Sequence, residues 1–320
     1  MTPQAAVLIV AHNAGAHLQW CVDALAAQTL QAFEVIVVDN ASTDGAVAAL
    51  SLPDDRFRVV DAGGNLGFAA ANNLGARLTT APLLVCLNPD AFAAPDWLAH
   101  LVAGAQSHPD VVMFGSTQIM ANDPTRYDGI GDRYHISGVA WRGGYGHPVG
   151  PVRDVPVFGP CAAAALYRRT AFDAVGGFDD AFFCYHEDVD LAFRLRLVGG
   201  LGMQVPEAVV RHVGSASAGK GSDFAVFYGT RNRVWTYVKN MPGWAFWLFL
   251  PAHVLANLLY LMVQTARGRG ASTVRGLWAA LAGLPRVWRQ RQAIQARCTV
   301  PVHGVLAAMV WNPLYALRRR

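Results

Sequence analysis

The sequence predicts an α/β protein: a mostly parallel, doubly wound sheet flanked by helices, followed by a basic and apolar helical region. Three observations carry this reading. Short apolar runs alternate with helix-period segments as far as Leu87, polar clusters follow successive apolar runs, and the charge balance changes sign at Asp223.

The alternation runs in order: strand at Ala5–Val10, helix at Ala16–Gln28, strand at Glu34–Asp39, helix at Thr43–Leu50, strand at Phe57–Asp61, helix at Gly67–Leu78 and strand at Leu83–Leu87. A helix over Pro95–Ser107 follows, with Pro95 suited to a first turn and Asp96 to the positive end of its dipole. Val111–Met120 reads as a strand. Asn122 to Pro156 has no period and is rich in Gly, Pro and aromatics, the composition of an acceptor-side loop or lid. Val157–Tyr167 reads as an apolar strand. A helix starts near His186 and stops before Gly199 and Gly200, a strand covers Ala208–Arg211, and Phe224–Lys239 is helical. On that last helix Arg231 and Arg233 read as a solvated basic face or as contacts for phosphate.

Composition bounds the partners. Hydrophobic residues make up 53% of 320 and charged ones 15%, with a mean hydropathy of +0.25, which points to apolar surface facing lipid. All 22 acids lie at or before Asp223 with 13 of the 26 bases, a net −9; the last 97 residues carry the other 13 bases and no acid. Such a tail, rich in Trp and ending in Arg318, Arg319 and Arg320, suits an anionic membrane surface, and its apolar runs favour lipid over nucleic acid. Trp244–Gln264 is long enough to cross a bilayer, yet Pro251, His253 and Asn257 fall inside it; a span and an interfacial helix stay equally open. Val300–Leu317 suits re-entrant or surface-lying helices. The division expected is a catalytic region over 1–239 and a helical membrane-associated region over 240–320. Five cysteines without a CxxC pair indicate reduced thiols rather than a disulfide framework or a zinc site. No basic segment precedes an apolar run at the N-terminus, so the catalytic part is expected at the cytoplasmic face of the membrane.

Polar clusters follow the strands: Ala11-His12-Asn13, then Asp39-Asn40-Ala41-Ser42-Thr43-Asp44-Gly45, then Asn88-Pro89-Asp90. Each alone suits a turn or helix cap. Together they converge on the crevice beyond the carboxyl ends of the strands, where open α/β sheets bind ligands.

With these clusters the sequence resembles glycosyltransferase family 2, of GT-A fold, and especially its rhamnosyltransferase-like branch. The resemblance rests on Val7-Leu8-Ile9-Val10-Ala11-His12-Asn13, on Val37 to Gly45, and on Gly64-Asn65-Leu66-Gly67-Phe68 running on to Asn72-Asn73. It continues with Leu87-Asn88-Pro89-Asp90, Gly176-Gly177-Phe178-Asp179, Glu187-Asp188-Val189-Asp190-Leu191 and His212, covering roughly residues 5 to 240 in family order.

The resemblance implies an inverting transferase that uses a nucleotide-diphosphate sugar and a divalent cation, Mg²⁺ or Mn²⁺. Asp90 matches the metal-binding acidic motif, with Asn88 where the first acid of Asp-x-Asp usually stands, and His212 would supply a further ligand. Asp39 is expected to hold the base or ribose, with His12, Asn13, Asn40, Asn65, Asn73 and Asn88 around the nucleotide sugar. Inversion needs a general base on the acceptor side, which the match assigns to Asp188 beside Glu187, whose like charge raises its proton affinity. Asp190 is placed to pair with Arg194 one turn on. The donor implied is a deoxythymidine or uridine diphosphate sugar, L-rhamnose being favoured, and the acceptor a lipid-linked glycan. A sugar-phosphate nucleotidylyltransferase would carry a Gly-rich loop with Arg and Lys after the first strand, which Ala11-His12-Asn13-Ala14-Gly15 is not. A non-catalytic sugar-nucleotide-binding module stays open.

Overall fold

The computed structural model describes residues 2–151, 155–214 and 221–312. The chain opens with β1 (Ala5–Ala11), α1 (His17–Ala26), β2 (Phe33–Asp39), β3 (Phe57–Asp61), α2 (Gly67–Arg77) and β4 (Leu83–Leu87). Next come β5 (Ala91–Ala93), α3 (Trp97–Ser107), β6 (Val111–Met120), β7 (Asp123–Gly129), β8 (Asp132–Tyr134), β9 (Ala140–Arg142), β10 (Val155–Pro156), β11 (Ala164–Arg168) and α4 (Arg169–Ala174). The remainder is α5 (Glu187–Leu197), β12 (Leu201–His212), α6 (Asp223–Asn240), α7 (Gly243–Ala266), α8 (Gly270–Ala296) and α9 (Val302–Ala307).

β3, β2, β1 and β4 lie side by side and parallel, the half of the sheet that the alternation predicted. Their period of two sorts the core. Val7, Ile9, Val35, Val37 and Val85 pack under α1 and α3, while Leu8, Val10, Ile36, Val38 and Cys86 pack against α2, α4 and α5. Each fully buried Val, Leu or Ile of these layers contributes about 1.5–3 kcal/mol relative to exposure.

Beyond β4 the sheet is mixed: β11 runs antiparallel between β4 and β6, and β12 runs parallel to β6 but antiparallel to β5. β11 is reversed because its chain arrives at the carboxyl end of β4, where Asn88 N donates to Ala163 O at 2.9 Å. The strand expected over Val157–Tyr167 shrinks to Ala164–Arg168: Phe158 and Gly159 pair instead with Asp132, and Pro160 has no N–H to give. Thr43–Leu50 is not a helix but a run of turns. Thr43 N donates to Asn13 Oδ1 at 2.8 Å and Asp44 Oδ2 accepts from Gly15 N at 2.8 Å, side-chain bonds that compete with a helical ladder.

A third core joins the C-terminal helices to the rest, with Trp235, Tyr237, Met241, Phe246 and Val287 packed against Tyr134, Phe158, Phe182 and Phe193. Arg231 and Arg233 are part of this seam rather than a solvated face. Arg231 stacks at 4.2 Å over Trp235 and donates to Phe182 O, and Arg233 donates to Asn257 Oδ1 at 2.8 Å. α8 lies within the helical region expected over 240–320.

α7 has its polarity inverted relative to an ordinary surface helix. His253 (3% exposed) and Asn257 (7%) point into the protein, where His253 Nδ1 donates to Ser137 O at 2.8 Å and its ring stacks on Tyr237 at 4.0 Å. The outer face carries Trp247 (65%), Leu255, Leu258 and Met262 (68%), and the neighbouring α8 adds Trp278 (69%) and Leu281. α7 is 24 residues with an 18-residue stretch of mean hydropathy 1.8, a helix long and apolar enough to cross a membrane. Arg318, Arg319 and Arg320, like the end of the Val300–Leu317 patch, lie outside the described residues.

One buried charge cluster fastens α5 to α6. The carboxylate of Asp190, fully buried, accepts from Arg194 Nε (2.8 Å), Lys239 Nζ (3.0 Å) and Asn240 Nδ2 (2.8 Å). Burial pushes its pKa up, but these cations and the amide outweigh it and hold it below the usual range. Stability from this group is therefore present above the ordinary carboxylate pKa and lost as pH falls through the lower folded value. Asp190→Ala, which strands the buried Arg194 and leaves Lys239 only Asp179 at 2.6 Å, is expected to cost about 3–5 kcal/mol in urea denaturation at neutral pH; a loss under 1 kcal/mol would contradict this.

Candidate active site

The carboxyl ends of β1, β2 and β4 meet as predicted. His12 Nδ1 donates to Asn40 O at 2.9 Å, Asn40 Nδ2 to Asn65 Oδ1 at 3.0 Å, and Asn65 Nδ2 approaches His12 Nε2 at 3.4 Å. Asn40 Oδ1 also accepts from Leu66 N at 2.7 Å, so this triangle sets the start of α2.

Asp90 and His212 are brought together by backbone pairing. His212, the last residue of β12, stands opposite Ala91 of β5, the residue after Asp90. His212 Nε2 lies 3.3 Å from Asp90 Oδ1 and 3.2 Å from Asn88 Nδ2. Its other nitrogen, Nδ1, donates to Asp128 Oδ2 at 2.7 Å, which orients Nε2 toward Asp90. Asp128 also accepts from Arg142 Nη1. Burial works against charge on His212, but its bonds to Asp128 and Asp90 raise its pKa above the ordinary value.

The second wall is the loop 183–186, where Phe183, Tyr185 and His186 all have positive φ (65°, 69° and 67°). A left-handed bulky residue costs about 1–3 kcal/mol and needs external support. Asn232, fully buried on α6, supplies it through Nδ2, which donates to the carbonyls of Phe182, Cys184 and Tyr185 at 2.9, 2.9 and 2.7 Å. Gly67 allows the close approach: at φ +79° a Cβ there would meet Phe183 O at 2.6 Å.

The loop delivers Glu187 and Asp188 at the start of α5. Asp188 Oδ2 accepts from Ala162 N at 3.1 Å and Oδ1 from Val189 N at 2.8 Å. Burial raises its pKa, partly offset by those amides and by Arg142. Burial, and then Asp188, drive Glu187 well above the usual range, and its Oε2 has no hydrogen-bond partner. Asp132, from β8, has ligand atoms within 4.8 Å of those of Asp188 and Cys161. Burial and then Asp188 push Asp132 well up, with Arg142 opposing.

Two cavities open here. One of about 510 Å³ is lined by His12, Asn40, Asn65, Asn88, Asp90 and His212 on one side and by Phe183, Phe224 and Tyr228 on the other. The second, of about 280 Å³, is lined by Asp132, Trp141, Cys161, His186, Glu187 and Asp188. They share Phe68, Asn88, Arg142, Cys184 and Tyr185 as a common wall.

Three of the predicted residues do not line either cavity. Asp39 Oδ1 accepts from Ser42 N at 2.9 Å and closes the turn after β2. Asn13 holds Thr43. Asn73 faces a separate groove, donating to Phe178 O at 2.8 Å and so tying α2 to the Gly176–Asp179 segment. Arg142, Asp128 and Asp132 were not singled out from sequence. They lie in the aperiodic Asn122–Pro156 segment, whose only signal was its length; it folds into β7–β9 against the site.

Residues 6–176 match the family model described as Glycosyl transferase family 2. The chain belongs to this family. As a glycosyltransferase it is 30% identical to N-acetylglucosaminyl-diphospho-decaprenol L-rhamnosyltransferase of Mycobacterium tuberculosis over 248 residues, 69% of this chain and 79% of that protein. Its fold is similar to that of GalNAc-T7 solved with UDP, GalNAc and Mn²⁺ (TM-score 0.61, 17% identity), covering 74% of this chain and 48% of that one, about half its length. It is also similar to the mannosyltransferase PcManGT from Pyrobaculum calidifontis in complex with GDP-Man and Mn²⁺ (TM-score 0.56, 19% identity; 97% and 88% covered). At such identities these likenesses show the GT-A fold alone.

The donor set on the larger cavity fits a divalent cation: a carboxylate oxygen of Asp90 and an imidazole nitrogen of His212, oriented by a buried carboxylate behind it. Asp128→Asn is therefore expected to weaken Mn²⁺ binding about 10- to 100-fold while nucleotide-free folding is kept. Calorimetric titration with Mn²⁺ and UDP checks this; an unchanged affinity would detach Asp128 from the cation.

Proposed function

We propose that this family member is an inverting transferase that moves a sugar from a nucleoside-diphosphate donor in the larger cavity to a hydroxyl of a lipid-linked glycan in the smaller one. The observation that carries this is the common wall: a candidate cation site at Asp90 and His212 opens on one side of it, and Asp188 and Glu187 on the other.

His12, Asn40 and Asn65 present polar groups to the nucleotide, and Asn88 and Arg142 stand where the two cavities join. Asp90 and His212 would hold Mg²⁺ or Mn²⁺, which when bound offsets the charge of the departing diphosphate. Asp188 accepts the proton of the attacking hydroxyl. Its two amide bonds favour the ionised form, and its place across the wall from the diphosphate suits in-line attack with inversion. Glu187, buried and with its pKa pushed up, faces the acceptor side as a hydrogen-bonding group. The likeness to the N-acetylglucosaminyl-diphospho-decaprenol L-rhamnosyltransferase supports L-rhamnose as the sugar and a polyprenyl-diphosphate-linked acceptor, with dTDP or UDP as the nucleotide of our reading.

A lipid-borne acceptor agrees with α7. Its polar residues are spent on the protein along the length of the helix and its apolar face looks outward, which supports a helix lying in the interface rather than crossing it. Residues 240–320 would then seat the 1–239 catalytic region on the anionic cytoplasmic face, with Arg267, Arg269 and Arg275 near the headgroups.

Asp188→Asn is expected to keep nucleoside diphosphate affinity and lower the transfer rate about 10²- to 10⁴-fold. In the unsubstituted enzyme the acid limb of kcat/KM should lie above the ordinary aspartate range, because the base must be ionised and its pKa is raised. Radiolabelled sugar transfer to lipid measures both; undiminished transfer by the variant would overturn the assignment.

A further inference from the structure

The smaller cavity contains a carboxyl group that the proposed reaction does not use. Asp132 is 6% exposed, lies on β8 opposite Asp188, and its carboxylate takes no hydrogen bond among the described residues. Its backbone is spoken for: Asp132 N donates to Gly159 O at 2.7 Å and Asp132 O accepts from Phe158 N at 3.2 Å. Arg142 offsets part of the cost of burying this carboxyl, but its oxygens are left open to the cavity for a ligand to complete.

The chemistry of the pair is asymmetric. Two carboxyls this close in a buried cavity do not both stay ionised. Asp188 has two backbone amides favouring its charged form and Asp132 has none, while Arg142 favours charge on both; of the two, Asp132 is therefore the readier to take a proton. The cavity thus offers an acceptor for one hydroxyl and, within 4.8 Å of it, a donor for another oxygen. Two oxygens on adjacent carbons of a sugar ring stand about one hydrogen-bond length apart, about 2.9 Å. A vicinal diol therefore fits between the two side chains, one oxygen to each.

A cation in this cluster is the competing occupant. Cys161 makes it a poor one: burial holds its thiol up at about 12, so it keeps its proton and is a weak ligand.

We propose that Asp132 is an acceptor-positioning and specificity-determining residue, gripping the hydroxyl next to the attacked one so that the nucleophilic oxygen rests on Asp188. The sugar that accepts transfer must then carry a free neighbouring hydroxyl. This inference rests on the smaller cavity being the acceptor site.

The test uses the full-length enzyme in detergent or vesicles with a short-chain N-acetylglucosaminyl-diphospho-lipid as probe, together with its 3-, 4- and 6-deoxy analogues. The analogue that loses the nucleophile gives no product; the one that loses its neighbour is the informative substrate. Asp132→Ala should raise the acceptor KM about 10- to 100-fold with nucleoside diphosphate affinity unchanged, Asp132→Asn should restore part of it, and Asp188→Asn should act on kcat instead. Removing the neighbouring hydroxyl should cost the unsubstituted enzyme a similar factor and the Asp132→Ala variant almost nothing more. Losses that multiply, an unchanged acceptor KM, or a second bound Mn²⁺ that vanishes in Asp132→Ala would each overturn the proposal while leaving the transferase reading intact. No transfer to the probe by the unsubstituted enzyme would overturn the acceptor reading and this inference with it.

Discussion

The segment after β4, from Asn88 to Ala93, is held on both flanks by backbone hydrogen bonds, and the geometry of the site follows from it. On one flank Asn88 N reaches Ala163 O, and the neighbouring Ala162 N binds the Asp188 carboxylate. On the other, β5 pairs with the end of β12, so that His212 lies beside Asp90. Two carboxylates distant in sequence are thereby fixed relative to each other by peptide groups rather than by flexible side chains. Positioning of this kind is what a transfer between two bound substrates requires, since small misplacements of reacting groups are costly in rate.

The C-terminal helices are coupled mechanically to the candidate site through the loop 183–186. The loop 183–186 separates the two cavities and holds three bulky residues in a left-handed conformation. Its strain is borne by Asn232 on α6, and the helix it feeds is tied to α6 through Asp190, Lys239 and Asn240. α6 in turn packs on α7 and α8, whose outward faces are apolar. An outward apolar surface and a wall of the candidate site are thus parts of one packed unit, an arrangement that fits the proposed lipid-borne acceptor.

The parallel half of the sheet was legible because strands β1 to β4 alternate with helices at distinct periods, and the residues just beyond β1, β2 and β4 could be read as site residues by position. His12, Asn40, Asn65, Asn88, Asp90, His212, Glu187 and Asp188 all line the paired cavities. Asp39, Asn13 and Asn73, named through the resemblance, line neither cavity: Asp39 and Asn13 bond the backbone of the turns after β2, and Asn73 on α2 bonds Phe178 O. Polarity of β11 was hidden, because an apolar run does not say which way it runs. Asp128, Asp132 and Arg142 were hidden for another reason: they sit in short strands of irregular register within an aperiodic segment, and their roles arise from contacts with His212 and Asp188 that no local pattern encodes. Asn232 is of the same kind, an ordinary helical residue until the loop it supports is in place.

The position of the bound cation decides which cavity takes the donor and which the acceptor. Anomalous scattering from crystals grown with Mn²⁺ and a nucleoside diphosphate would locate it directly. A peak between the Asp90 carboxylate and His212 Nε2, with diphosphate oxygens completing the shell, is the predicted result. A peak among Asp132, Cys161 and Asp188, or none at Asp90, would contradict the assignment of donor and acceptor sides.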